Sequence, residues 1–184
     1  MKAGIENPKS ELLKALQEKY QGDFDLSVGV NQSFQQLMKK ILKIKGITTA
    51  EKFADATGLY ERLYDSCTNE MVKNTKRPYK PAMRTLIAIC ISLDIDQPMT
   101  VVLLTSLGVT FSLTNEVHYA YNFLVSNFST YYLAKESSLS EYFDGSNAIN
   151  PEDKYEICNA FLKNLGIAEK HYLGVSCKRK AKTK

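Results

Sequence analysis

The side chains able to do chemistry are few and scattered. The four cysteines, Cys67, Cys90, Cys158 and Cys177, lie far apart, and no CxxC pair exists. Neither a zinc knuckle nor a dithiol redox centre is expected from such spacing. His118 and His171 are single and distant, so no metal-ligand set assembles from the sequence. Glu51 and Asp55 fall at i and i+4 of one predicted helix. Glu51 reads as a capping residue and Asp55 as solvent-facing, so they make no paired-carboxylate site. The nine glycines are dispersed rather than gathered into a phosphate cradle, and HExxH, GxSxG and a Ser-His-Asp grouping are absent. The expectation is a chain that is not an enzyme and that carries no cofactor or metal.

Charge is more informative than nucleophiles. The formal net charge of the 184 residues is +4, but it is unevenly distributed. Residues 39–84 hold eleven Lys/Arg against five Asp/Glu, and residues 178–184 hold five bases and no acid. Residues 85–134 contain no Lys or Arg at all. A localised basic block is a candidate footprint for a polyanion; its alternative is a solvated face followed by a basic, disordered tail over 173–184.

The spacing within Thr48–Cys67 narrows the choice. Two short predicted helices flank Gly58, the outline of a helix-turn-helix. A small residue is needed where the second helix crosses the first, and Ala54 stands there. The turn needs φ > 0, which Gly58 supplies. Leu59 would plug the joint, Tyr64 and Cys67 would be the inward positions of the second helix, and Phe53 would face the core. Thr57 departs from the pattern, because an apolar residue suits that slot better.

The elements that must position this joint read as helices almost throughout. Ser10 can cap a helix over Glu11–Tyr20, and Ser33 one over Phe34–Lys45, stopped by Gly46. Thr48 with Glu51 forms a capping-box pattern for Ala50–Thr57. Further helices are predicted at about Tyr60–Met71, Ala82–Leu93, Met99–Leu107 with Pro98 in the first turn, Glu116–Phe128 capped by Thr114, and Glu152–Leu165 opened by Pro151. Gly108 and Gly166 close two of them. The fold class is therefore all-α. The expected core holds Phe34, Leu37, Ile41, Phe53, Ala54, Leu59, Tyr64, Leu86, Ile87 and Cys90. No apolar run approaches the ~20 residues of a membrane-spanning helix, and Met1–Gln17 lacks the apolar block of a leader; a cytoplasmic protein without membrane contact is expected.

Phe34–Leu93 resembles the lambda-repressor-like DNA-binding domain of Xre-type regulators of bacteria and phage. TTAEKFADATGL is similar to that family's first motif helix and turn. YERLYDSC occupies the place of the recognition helix, and KPAMRTLIAICISLDI resembles the fourth helix. A looser likeness extends through Leu104, Phe123 and Glu156–Gly166. The resemblance implies a helix-turn-helix bundle with additional N- and C-terminal helices: an N-terminal helical extension over 1–31, a DNA-binding-like module over 32–95, and a C-terminal extension over 96–172 that packs on it or mediates a homodimer. It implies double-stranded DNA as partner, read by a helix in the major groove. Arg62, Ser66 and Asn69 would contact bases. Lys73, Lys76, Arg77, Lys80 and Arg84 would contact phosphates. The sequence departs from the family in the acidity of this helix: Glu61, Asp65 and Glu70 outnumber Arg62. That leaves a second reading open, in which the same fold serves as a protein-protein interaction module with the partner on helix 60–71.

Overall fold

The computed structural model describes residues 32–70, 78–128 and 150–174. Among these it contains seven α-helices and no strand: α1 (Phe34–Ile44), α2 (Ala50–Thr57), α3 (Arg62–Thr68), α4 (Met83–Ser92), α5 (Gln97–Ser106), α6 (Glu116–Phe128) and α7 (Pro151–Asn164). After α7 comes a 3-10 turn at Glu169–His171. The expectations for 1–31 and for the 173–184 tail beyond Gly174 lie outside the described residues. No helix among those described is long and apolar enough to cross a membrane.

Local chemistry explains most of the helix ends. Ser33 caps α1 in a full capping box, accepting from the Gln36 amide while the Gln36 side chain accepts from the Ser33 amide. Each reciprocal bond satisfies a donor the helix would otherwise leave open. Asp96 and Asn150 cap α5 and α7 in the same sense, each with a proline in the first turn. Gly46, Gly108 and Gly166 take φ values of +71°, +73° and +74° just after α1, α5 and α7. In each case the next residue's amide reaches back into the helix: Ile47 to Leu42 O, Val109 to Leu104 O, Ile167 to Leu162 O. These closures satisfy carbonyls that have no helical donor.

Three sequence expectations are corrected. The cap of α2 is Thr49, which accepts from the Lys52 amide, and not Thr48 paired with Glu51. Thr48 instead offers its carbonyl to the Tyr64 hydroxyl at 2.9 Å. The cap of α6 is served by Asn115, whose Oδ1 accepts from the Val117 and His118 amides; the Thr114 hydroxyl contacts Ser112 instead. Helix α3 is shorter than 60–71, ending at Thr68 with Asn69 in an extended conformation. Thr68 and Ser66 both turn their hydroxyls onto carbonyls four residues back, the competition that makes such residues weak helix formers.

Helix α4 is the hub. Its residues Thr85 through Ser92 are all buried, a helix apolar on every side and so enclosed on every side. Helices α2, α6 and α7 all pack on it, α1 lies against α3 and α5, and one continuous core joins Phe34 to Leu173. The expected core residues are buried there, with Tyr64 half-buried because its hydroxyl reaches Thr48.

The C-terminal end of α4 is closed by an unusual residue for that role. Asp94 adopts φ +48°, and Ile95 N–H donates to Cys90 O at 2.8 Å. Glycine would hold this conformation without cost, whereas Asp is among the few side chains that tolerate it. The Asp94 carboxylate accepts from the buried Lys154 ammonium of α7 at 2.7 Å, and that ammonium also donates to Ser92 O at 3.2 Å. A cation at a helix C-terminus opposes the negative end of the helix dipole. Breaking this pair from the Asp94 side would leave a buried ammonium facing carbonyls alone.

Candidate nucleic-acid interface

The α2–α3 joint is built as the spacing requires. Ala54 is 3% exposed at the crossing, Phe53 and Leu59 are fully buried, and Cys67 is buried on the inner face of α3. Gly58 has φ +63° and its amide donates to Ala54 O at 2.7 Å. Phe53 and Tyr64 set their rings at 6.1 Å across the two helices.

Thr57, the departure in the sequence pattern, has a physical reason. It is fully buried. Its hydroxyl donates to Phe53 O at 2.7 Å and accepts from the Leu59 amide at 3.2 Å. Leu59 begins the plug and its amide would otherwise be buried without a partner, a loss of about 1–3 kcal/mol. An apolar residue could not do this, so the slot is polar by necessity here.

The outward side of α3 carries the expected base-reading set, though not on equal terms. Arg62 is exposed at the first position of the helix, and Asn69 is exposed just past its last. Ser66 is half-buried and its hydroxyl donates to Arg62 O at 3.0 Å; its lone pairs remain for a donor. Glu61, Asp65 and Glu70 are exposed around them. Glu70 accepts from the Gln36 side chain at 2.7 Å, which ties the end of α3 to the start of α1.

Of the expected phosphate-contact residues, Lys73, Lys76 and Arg77 lie outside the described residues. Lys80 is exposed, with its ammonium 3.5 Å from Leu107 O. Arg84 is half-buried and donates to Lys170 O. Both of these cations therefore turn toward elements other than α3: the end of α5 and the segment after α7.

The residue that sequence reasoning missed is Tyr155 of α7. It is 1% exposed, and its hydroxyl donates to Thr57 O at 2.6 Å and lies 3.2 Å from Ala88 O. Its ring covers Gly58: a Cβ there would stand 3.7 Å from Tyr155 Cε2 and 3.5 Å from Pro151 Cβ. Helix α7 thus seals the joint from outside the module. Nothing local in YEIC signals a contact 98 residues away in sequence.

Two buried cysteines are held as thiols. Burial pushes the Cys90 thiol up to about 12, with a hydrogen bond to Thr100 pulling the other way. Burial likewise raises Cys158. Thiols held protonated are poor nucleophiles. Among the described residues, no group of three or more His, Cys, Asp or Glu is placed to hold a metal ion. No family model, curated protein or solved structure matches this chain.

Proposed function

We propose that this chain is a cytoplasmic DNA-binding transcriptional regulator of the lambda-repressor-like, helix-turn-helix type. The observation that supports it is the joint itself: a small residue at the crossing, a left-handed glycine, a buried plug and an inward Cys67 all occur at the required spacing. In this reading α3 enters the major groove. Arg62 pairs with a guanine, Asn69 with an adenine, and Ser66 accepts from a base or supports Arg62. Lys73, Lys76, Arg77, Lys80 and Arg84 set register on the phosphates.

A second reading is favoured by a separate observation. Glu61, Asp65 and Glu70 are exposed on or beside α3, while Lys80 and Arg84 turn away from it. A face with that sign fits a basic protein partner better than a polyanion.

One titration separates the two. A labelled random-sequence duplex pool at about 50 mM salt should bind, because non-specific electrostatic association is strongest there. Arg62→Ala should then cost about 1–3 kcal/mol at a single base position, and Lys76→Ala should weaken all sequences alike and reduce the salt slope by about one. Absence of binding at that salt rejects the DNA reading in favour of the protein-partner one.

A further inference from the structure

Helix α3 is tied down unequally along its length. Just beyond its end, Glu70 accepts from the Gln36 side chain of α1. In its middle, the Tyr64 hydroxyl donates to Thr48 O. No side-chain cap closes its start: Glu61, the residue before it, is already helical and makes no capping bond to the open amides of the first turn. The place of that turn, which begins with Arg62, is therefore set by how residues 58–61 leave the end of α2.

That exit from α2 is gripped by α7. The last turn of α2 holds no basic side chain, and the carbonyl of its last residue, Thr57, accepts from the Tyr155 hydroxyl. The Tyr155 ring lies over the next residue, so that a Cβ on Gly58 would stand 3.7 Å from Tyr155 Cε2. One side chain thus holds both residues at which the backbone turns toward α3.

Tyr155 is itself held by the segment that follows α7. Gly174 is buried with φ +74°. A Cβ there would stand 2.5 Å from Tyr155 Cδ2, 2.9 Å from Cε2 and 3.0 Å from Cγ, so only glycine fits and the backbone itself is pressed onto the ring. Three helices fix that segment in place. Arg84 of α4 donates to Lys170 O, and the Tyr121 hydroxyl of α6 donates to His171 O. Asn159 of α7 holds Leu173 from both sides, its Nδ2 donating to Leu173 O at 3.0 Å and its Oδ1 accepting from Leu173 N at 2.7 Å. Leu173 is fully buried beneath the segment.

We propose that residues 169–174 are a clamp on the α2–α3 joint, with Tyr155 as the positioning residue that carries the grip to Thr57 and Gly58 and so places Arg62. A ring walled by backbone on one side and bonded at its hydroxyl has no room to change rotamer while the segment stays down. Once the segment lifts, the ring can swing, and the Thr57 carbonyl loses its donor. The coupling is reciprocal: whatever draws the segment away loosens the turn, and whatever fixes the start of α3 holds the segment down. The clamp acts on the joint whether α3 meets DNA or a protein. The surface that presents Arg62 is thus completed from outside the module 32–95.

Amide hydrogen exchange of the full chain under native conditions tests this. The Gly58 and Leu59 amides report the joint, and the Ile47 amide, in the similar closure after α1, reports a turn the segment does not reach. Gly174→Ala and Gly46→Ala form a matched pair. The two glycines have φ +74° and +71°, so both variants strain the backbone alike, but a Cβ on Gly46 meets nothing within 4 Å. Gly174→Ala should speed exchange at Gly58 and Leu59 about tenfold and leave Ile47 unchanged, and Gly46→Ala should do the reverse. Tyr121→Phe loosens the segment from α6 without opening a cavity, and it decides alone if Gly174→Ala does not fold. It should speed the joint amides several-fold, and that effect should vanish when Tyr155→Phe is already present, because the Tyr155 hydroxyl is the route. Equal acceleration at Ile47 and at the joint in Gly174→Ala overturns the proposal, since the variant then reports stability alone. Joint amides unchanged in Gly174→Ala and in Tyr121→Phe overturn it as well. Persistence of the Tyr121→Phe effect beside Tyr155→Phe overturns the role of Tyr155. No nucleic acid enters these measurements, so their failure leaves the DNA reading standing.

Discussion

Removing one oxygen atom tests how α7 is coupled to the joint. Tyr155→Phe keeps the ring that covers Gly58 and Gly174, so no cavity opens. It deletes the hydroxyl that donates to Thr57 O at 2.6 Å. Thr57 is the last residue of α2, so its carbonyl is one of those without a helical donor. Ala88 lies inside α4, where its carbonyl keeps its own helical partner. The loss is therefore one hydrogen bond plus one buried carbonyl left open, about 2 kcal/mol in all. For a chain of this size each kcal/mol lowers Tm by about 2–4 °C, so a drop of about 4–8 °C is expected. Circular dichroism melts of parent and variant at one pH and concentration measure it. Tyr155→Leu, which also opens space beside two glycines, should cost more, about 3–5 kcal/mol. A Tyr155→Phe melt that superimposes on the parent would refute the reasoning, since α7 would then be held by its apolar contacts and the Lys154–Asp94 pair without help from the Tyr155 hydroxyl.

The same geometry sets three further outcomes. Thr57→Val should destabilise by about 1–3 kcal/mol, because it leaves the Leu59 amide without its acceptor; a urea midpoint equal to the parent's would show that the amide finds another partner. Ala54→Leu should cost about 1–3 kcal/mol by overpacking the α2–α3 crossing, read in the same assay. Stability should fall on the alkaline side. Burial places the Cys90 thiol at about 12 and the Tyr121 phenol also at about 12, above their ordinary 9.0 and 10.0. The unfolded chain releases these protons first, so their contribution is intact below about pH 9 and declines from there to about pH 12. Urea midpoints at about pH 8 and pH 10.5 would show it, and Cys90→Ala should make the decline shallower.

The sequence was most legible where structure is decided locally. Gly46, Gly58, Gly108 and Gly166 mark their turns because only a residue without Cβ enters that region freely. Ser33 and Pro151 announce helix starts for equally local reasons. Neighbouring alternatives were not resolvable: Thr48 and Thr49 can both cap α2, and the choice falls to Thr49 while Thr48 O is taken by Tyr64, sixteen residues on. The left-handed Asp94 carried no signal, because Asp tolerates that conformation without requiring it and the Lys154 partner of its carboxylate is sixty residues away. In the candidate interface, the pattern Ala54–Gly58–Leu59–Cys67 could be read directly. The direction in which Arg84 points could not, since it depends on a strap that the sequence does not mark as structure at all.

The enclosure of α4 has a consequence for how the molecule opens. Its amide protons from Thr85 to Ser92 are covered by helices drawn from both ends of the described chain. Freeing them requires α2, α6 and α7 to leave together, so no small fluctuation exposes them. Their hydrogen exchange should track the global unfolding free energy, while amides of the loop around Leu113, an exposed residue, exchange through local fluctuations. Among the described residues the slowest-exchanging backbone should then be α4, on which α3 bears through α2, so that the α2–α3 joint rests on a base that yields only when the whole bundle does.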